Sequence, residues 1–208
     1  MDIDKLASVA QAMVADDKGL LAADESTGTI GKRFDTINVV SSADTRRDYR
    51  ELLFKAKDIE KFISGVILYD ETIRQSASDG TSLVDLMLNK NIIPGIKVDA
   101  GAKPLAGSQN ETVTEGLDGL ASRVEEYVGL GAQFAKWRAV IKIGEDMPSG
   151  YAIHTNAHAL ARYAKICQEG GLVPIVEPEV LMDGDHDVEV CQHVTEETLN
   201  AVFGEIYA

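Results

Sequence analysis

Five short apolar runs punctuate the chain: GLLAAD (19–24), ISGVILYD (63–70), IPGIKVD (93–99), FAKWRAVIKI (134–143) and LVPIVEPEV (172–180). Each is bounded by Gly, Pro or polar residues, the pattern of strands buried on both faces. Between them lie stretches with apolar residues at helical spacing. DTRRDYRELLFKAKDIEKF sets Leu52, Leu53 and Phe54 among charges. GLDGLASRVEEYVGLGA strings Leu117, Leu120, Val124, Tyr127 and Val128 along one stripe, and NAHALARYAKICQEGG ends on a glycine pair suited to a helix C-terminus. Strand starts at residues 19, 63, 93, 134 and 172 leave room for a helix in every connection. Such βαβ repeats demand a parallel sheet.

A parallel α/β sheet is either open and doubly wound or closed into a barrel. Charged residues punctuate nearly every strand towards its carboxyl end: Asp24, Asp70, Lys97 with Asp99, Lys136 with Arg138, and Glu177 with Glu179. Charge gathered there favours the (β/α)8 TIM barrel, whose active sites are built from the loops after the strands. DESTGTIGKR contains Gly28 and Gly31 but fits neither the dinucleotide nor the P-loop pattern that an open sheet often carries after its first strand. A barrel takes eight strands and about 250 residues. This chain has 208 residues and five such strands, ending in the helical pattern EETLNAVFGEIYA. The expectation is a single, incomplete barrel domain over residues 1–208 holding about the first five β/α units, the remainder either lost from this chain or supplied by a partner.

The run FAKWRAVIKIG poses a chemical question, because it turns cations towards the interior of a buried strand. Strand side chains alternate faces, so Phe134, Lys136 and Arg138 share one face and Ala135, Trp137 and Ala139 the other. Glu177 and Glu179 in IVEPE share a face by the same rule. If the two strands are neighbours, both pairs enter one mouth, where opposite charges favour each other's ionised forms and a carboxyl can be tuned for proton transfer. An ion-pair lattice without chemistry is the alternative. Five strands that all end in ionisable groups weigh against it for the set.

Charge and composition narrow the partners. With 20 basic against 34 acidic side chains the formal charge is −14, which argues against nucleic acid or an anionic membrane surface. No run approaches the ~18 uncharged apolar residues of a spanning helix, and the N-terminus places acids where a signal peptide has cations, so a cytoplasmic location is expected. Cys167 and Cys191 form no disulfide framework and read as packing residues. His154 and His158 stand four apart without the glutamate of the zinc-protease motif, and His186 and His193 flank an acidic loop with no calcium register. No metal or cofactor is expected. The residues together suggest an enzyme acting on an anionic, hydroxylated small molecule by acid/base or lysine chemistry.

LLAADESTGTIGKR, ISGVILYDET, GIKVDAGAKPLAG, TEGLDGL, FAKWRAVIKIGE, LARYAKICQEGGLVPIVEPEVL and DGDHDVEVCQHVTEE occur in that order along the chain. Together they resemble the class I, Schiff-base-forming fructose-bisphosphate aldolases. The resemblance implies a (β/α)8 barrel, assembled as a homotetramer, that reversibly cleaves fructose 1,6-bisphosphate into dihydroxyacetone phosphate and glyceraldehyde 3-phosphate without a metal. It puts Asp24 in the role of the carboxylate that handles the C4 hydroxyl proton. Lys136 resembles the lysine that assists carbinolamine formation, and Arg138 its substrate-holding neighbour. Lys97 matches a lysine near a sugar hydroxyl or phosphate. Glu177 resembles the general acid/base of Schiff-base formation and hydrolysis, with Glu179 orienting the lysines. Ser26, Arg33 and Arg46 fall where the family contacts phosphate. Thr29 stands where animal relatives have serine and keeps the hydroxyl.

One departure from the family pattern concerns the covalent catalyst. The family's Schiff-base lysine lies on the sixth strand in a stretch like LLKPNMV, which does not occur here, and Lys103 in AKPLAG is a poor substitute. Lysine is needed because its amine condenses with the ketone to make an electron sink. On that basis the chain alone is expected to be inactive, with the chemistry belonging to the intact protein. Two other readings stay open: a stand-alone fragment that binds phosphates or proteins without catalysis, and a Schiff-base barrel with its nucleophile on the fourth strand, at Lys136.

Overall fold

The computed structural model describes residues 1–208. Chain order runs α1 (Ile3–Met13), β1 (Gly19–Ala23), α2 (Thr27–Asp35), α3 (Ala43–Phe54) and a 3₁₀ turn (Ile59–Lys61) into β2 (Ile63–Leu68). There follow α4 (Asp70–Ile73), α5 (Leu83–Leu88), β3 (Ile93–Lys97), a hairpin of β4 (Ala102–Pro104) and β5 (Thr112–Thr114), and α6 (Leu120–Gly129). β6 (Phe134–Ile141), α7 (Gly150–Glu169), β7 (Val173–Val180) and α8 (Val188–Tyr207) complete it.

All five apolar runs form strands, and they belong to one sheet in the order β1-β2-β3-β6-β7. Ala23 pairs with Leu68 and Leu68 with Ile96, both in parallel register. These are successive β/α units of the kind the spacing of the runs predicts.

Helix boundaries depart from the sequence pattern where the backbone turns left-handed. The pattern over residues 44–62 stops being helical at Phe54, and Asp58 at φ 59° starts the separate 3₁₀ turn. Gly116 and Gly119, at φ 126° and 66°, keep the first residues of GLDGL out of α6. α7 begins six residues earlier than its apolar stripe, at Gly150, because Ser149 caps it by accepting from the Ala152 N–H. DESTGTIGKR forms a helix, α2, capped by Ser26, and the β4–β5 hairpin occupies a connection that the pattern left unassigned.

The chain divides into two compact units. The first comprises Met1–Lys97, Glu125–Ala135 and Gly171–Val173. Its α3 buries Arg46, Arg50 and Phe54, which lie at i, i+4 and i+8 on one helix face. The Phe134 ring lies over Gly65 and Gly95, and a Cβ on Gly95 would stand 2.2 Å from that ring. Close packing of this kind fixes glycine at both positions.

The second unit comprises Val98–Val124, Lys136–Gly170 and Pro174–Ala208. Trp137 and Tyr163 are fully buried with ring centroids 5.4 Å apart, and the Tyr163 hydroxyl donates to the Ile175 carbonyl at 3.1 Å. Burial pushes the Tyr163 phenol well above its ordinary pKa, so it remains a neutral donor. Asn156 anchors the hairpin to α7: its Oδ1 accepts from the Thr114 N–H and its Nδ2 donates to the Thr112 carbonyl at 2.8 Å.

Candidate active site

The period-two rule holds on β6 and β7, and it places the two cations opposite the two carboxylates. Lys136 Nζ stands 3.9 Å from Glu177 Oε2, and Arg138 Nε is ion-paired with Glu179 Oε2. Pairing of this sort raises the arginine pKa, chiefly through the Glu179 hydrogen bond. Arg138, Val176, Glu177, Pro178 and Glu179 line a cleft of about 550 Å³. Asp99, just past β3, caps the local backbone: Oδ1 accepts from the Gly101 N–H at 3.0 Å and Oδ2 from the Arg138 N–H at 3.4 Å.

Burial differs between the two cations. The Lys136 side chain is 8% exposed, whereas that of Arg138 is 45% exposed. A buried ammonium is costly to desolvate and is tolerated only with polar partners. Lys136 is not at the strand's carboxyl end, as its sequence position suggested, but third of eight residues in β6. The reason is stagger: the Val98 N–H, one residue past the end of β3, donates to the Lys136 carbonyl, so the start of β6 is level with the end of β3. Tilted strands in barrels are offset in this way.

In the first unit Asp24 directly follows β1, and Lys97 is the last residue of β3, both at the carboxyl tips of their strands. Ser26 accepts from the Thr29 N–H at 3.2 Å, and its hydroxyl lies 3.0 Å from that of Thr29. Arg33 is ion-paired with Glu25 while its own side chain remains 62% exposed. Arg46 is bidentate on Glu71, Nε to Oε2 at 2.7 Å and Nη2 to Oε1 at 2.6 Å, with Nη1 donating to Ser41 Oγ. That pair holds the Glu71 carboxyl below its ordinary pKa and raises that of Arg46. Three of the five donors of Arg46 are therefore committed within the fold.

Three participants escaped the sequence reading. Glu71 was one, hidden in an apolar run's tail. The others were Glu25, whose side chain is 8% exposed, and Arg50, which is fully buried. The available signal was the spacing of Arg46 and Arg50, four residues apart and in line with apolar Phe54. The histidines took another course: His154 and His158 both turn Nδ1 towards Glu205 on α8, at 3.5 and 2.9 Å.

Comparison with known proteins identifies the family. Residues 5–207 match the model of the family described as fructose-bisphosphate aldolase class-I. A probable fructose-bisphosphate aldolase class 1 of Xanthomonas campestris pv. campestris is 61% identical over 207 residues, which are 100% of this chain and 62% of that protein. A cytosolic fructose-bisphosphate aldolase of Arabidopsis thaliana is 58% identical over 186 residues, 89% of this chain and 47% of that one. The chain thus spans less than two thirds of the length of these relatives. The solved structure of fructose-bisphosphate aldolase from Plasmodium falciparum superposes with a TM-score of 0.96 at 51% identity, covering 98% of this chain and 59% of that one. The fold is accordingly α/β, comprising the first β/α units of a (β/α)8 barrel. By the match over nearly its whole length, the chain belongs to the class I fructose-bisphosphate aldolase family.

Proposed function

We propose that this chain forms part of an enzyme that reversibly cleaves fructose 1,6-bisphosphate into dihydroxyacetone phosphate and glyceraldehyde 3-phosphate, through a Schiff base on a lysine outside residues 1–208. The observation that carries the reading is the double pairing of Lys136 with Glu177 and Arg138 with Glu179 beside an open cleft, in a chain of this family.

Glu177 is the general acid/base that moves protons to and from the oxygen lost as the Schiff base forms and is hydrolysed. Its carboxyl faces Lys136 at 3.9 Å, so the acid/base group and the cation that supports the carbinolamine stand side by side. Lys136 supports the carbinolamine stage and contacts substrate. Glu179 orients the cations, and Arg138, half exposed beside the cleft, holds a substrate oxygen with charge-assisted hydrogen bonds. Asp24 takes the C4 hydroxyl proton as the carbon–carbon bond breaks, the electrons passing into the iminium. Lys97 meets a sugar hydroxyl or phosphate. Ser26, Arg33 and Arg46 contact phosphate, which for Arg46 requires exchange against Glu71 or use of its remaining donors. These cations offset locally the repulsion a −14 chain exerts on a bisphosphate.

The same reading carries a glycolytic role in the cytoplasm, a homotetramer, and a single barrel domain to which residues 1–208 contribute. The cytosolic relative supports the location; no helix is long and apolar enough to cross a membrane.

Borohydride trapping of the whole protein with dihydroxyacetone phosphate, followed by peptide mapping, tests the proposal alongside a fructose 1,6-bisphosphate cleavage assay. Cleavage with the adduct on a lysine outside this chain is the expected result. An adduct on Lys136 would make that residue the nucleophile, and the absence of both trapping and cleavage would leave only phosphate binding; either overturns the reading.

A further inference from the structure

Arg50 is fully buried at the centre of α3, far from any role that charge alone would explain. Its Nε donates to the Ala23 carbonyl at 3.1 Å and its Nη2 to the Glu25 carbonyl at 2.8 Å. Those two carbonyls flank Asp24. The Glu25 carboxylate is 3.6 Å from Nη2, beyond hydrogen-bond quality, and both Glu25 Oε2 and Arg50 Nη1 are buried without a hydrogen-bond partner. The guanidinium is therefore aimed at the backbone and only secondarily at the carboxylate. Desolvation lowers the Arg50 pKa and Glu25 acts against it, but a guanidinium stays charged with or without that partner, and its fork grips the chain. Glu25 in turn pairs with Arg33.

We propose that Arg50 is the positioning residue for Asp24: by clamping the carbonyls on either side, it fixes the direction in which the Asp24 carboxylate leaves β1. The inference rests on the aldolase reading of Asp24. A rigid grip is needed there because β1 ends at Ala23, and beyond it the sheet ladder no longer holds the backbone. A misplacement of about 1 Å in a reacting carboxylate costs on the order of 10²-fold in rate. Only arginine supplies two donors in a planar fork; lysine keeps the charge but presents a single point.

The test uses Arg50→Lys, Glu25→Gln and Asp24→Asn in the whole enzyme, with fold checked by circular dichroism. Arg50→Lys is expected to lower kcat for fructose 1,6-bisphosphate cleavage by about 10-fold to 10²-fold with KM changed less than about 3-fold. It should still form at least half the borohydride-trapped adduct with dihydroxyacetone phosphate, since that condensation has no C4 hydroxyl proton to remove. Glu25→Gln leaves the carbonyl grip in place and is expected to keep kcat within about 2-fold while raising KM through Arg33. A folded Arg50→Lys variant that loses trapping and cleavage together has a general structural defect, which overturns the proposal. So does one that cleaves at the wild-type rate while Asp24→Asn does not. A Glu25→Gln variant whose kcat drops 10-fold or more would overturn it without reference to Arg50→Lys, because the ion pair would then be what matters. If Asp24→Asn itself cleaves normally, the role given to Asp24 fails, separately from the inference about Arg50.

Discussion

Lys136 and Glu177 stand 3.9 Å apart on neighbouring strands, two residues before the tighter ion pair of Arg138 with Glu179. In the proposed mechanism the looser pair serves proton transfer and the tighter one holds geometry. Glu177→Gln in the whole enzyme is therefore expected to lower kcat by about 10²-fold with KM changed less than about 3-fold, because proton transfer fails while the cations remain. Lys136→Ala should raise KM and lower kcat together. Steady-state cleavage kinetics check both, and an unchanged kcat in Glu177→Gln would remove that residue from the chemistry.

Acid stability should depend on Glu51. Its carboxylate accepts from Lys55 Nζ at 2.7 Å and from the Ser78 hydroxyl and N–H at 2.8 Å each, and these bonds, Lys55 first, bring its pKa down to about 2. A folded-state pKa below the unfolded value contributes stability that is complete above the unfolded pKa, near 4.3, and lost as pH falls through the folded one. The stability gap between wild type and Glu51→Gln, measured by urea unfolding, should be full at pH 6 and shrink between about pH 4.3 and pH 2. A gap that stays constant down to pH 2.5 would show that Glu51 is not held ionised.

The four charged residues of β6 and β7 were legible in the sequence because alternation fixes the face of each side chain without knowledge of its neighbours. Depth along the barrel axis was not legible: the level of Lys136 depends on the register of Val98 against it, a non-local quantity. Helix ends were misplaced at Asp58 and Gly119, where a single left-handed residue outweighs the apolar stripe. Arg50 and Glu25 were missed because the partners that matter, the Ala23 and Glu25 carbonyls, are backbone atoms with no mark in the sequence.

Gly95→Ala tests the packing under Phe134. The added Cβ would meet the ring at 2.2 Å, and overpacking of this size costs about 1–3 kcal/mol. Phe134→Leu removes the obstructing ring atoms, so the double variant should be destabilised by less than the sum of the two single changes. A double-mutant cycle from chemical denaturation measures the coupling, and strict additivity would mean that the ring is not what excludes a side chain from position 95.

Cys167 should be inert to alkylation in the folded chain. It is fully buried in α7, and burial pushes its thiol up to about 12. At pH 8 only roughly one molecule in 10⁴ carries the reactive thiolate, and that thiolate is out of reach of reagent. Iodoacetamide at pH 8 followed by peptide mass spectrometry should find Cys167 unmodified until denaturant is added, whereupon it should react like an ordinary cysteine. Labelling that tracks urea concentration would then report global unfolding of the second unit, because α7 also supplies the Tyr163 hydroxyl to Ile175 and the Asn156 amide to the hairpin. Modification of Cys167 in native buffer at a rate near that of the denatured chain would mean that α7 opens readily, and that the strand bearing Glu177 and Glu179 lacks the rigid backing that the proposed acid/base role requires.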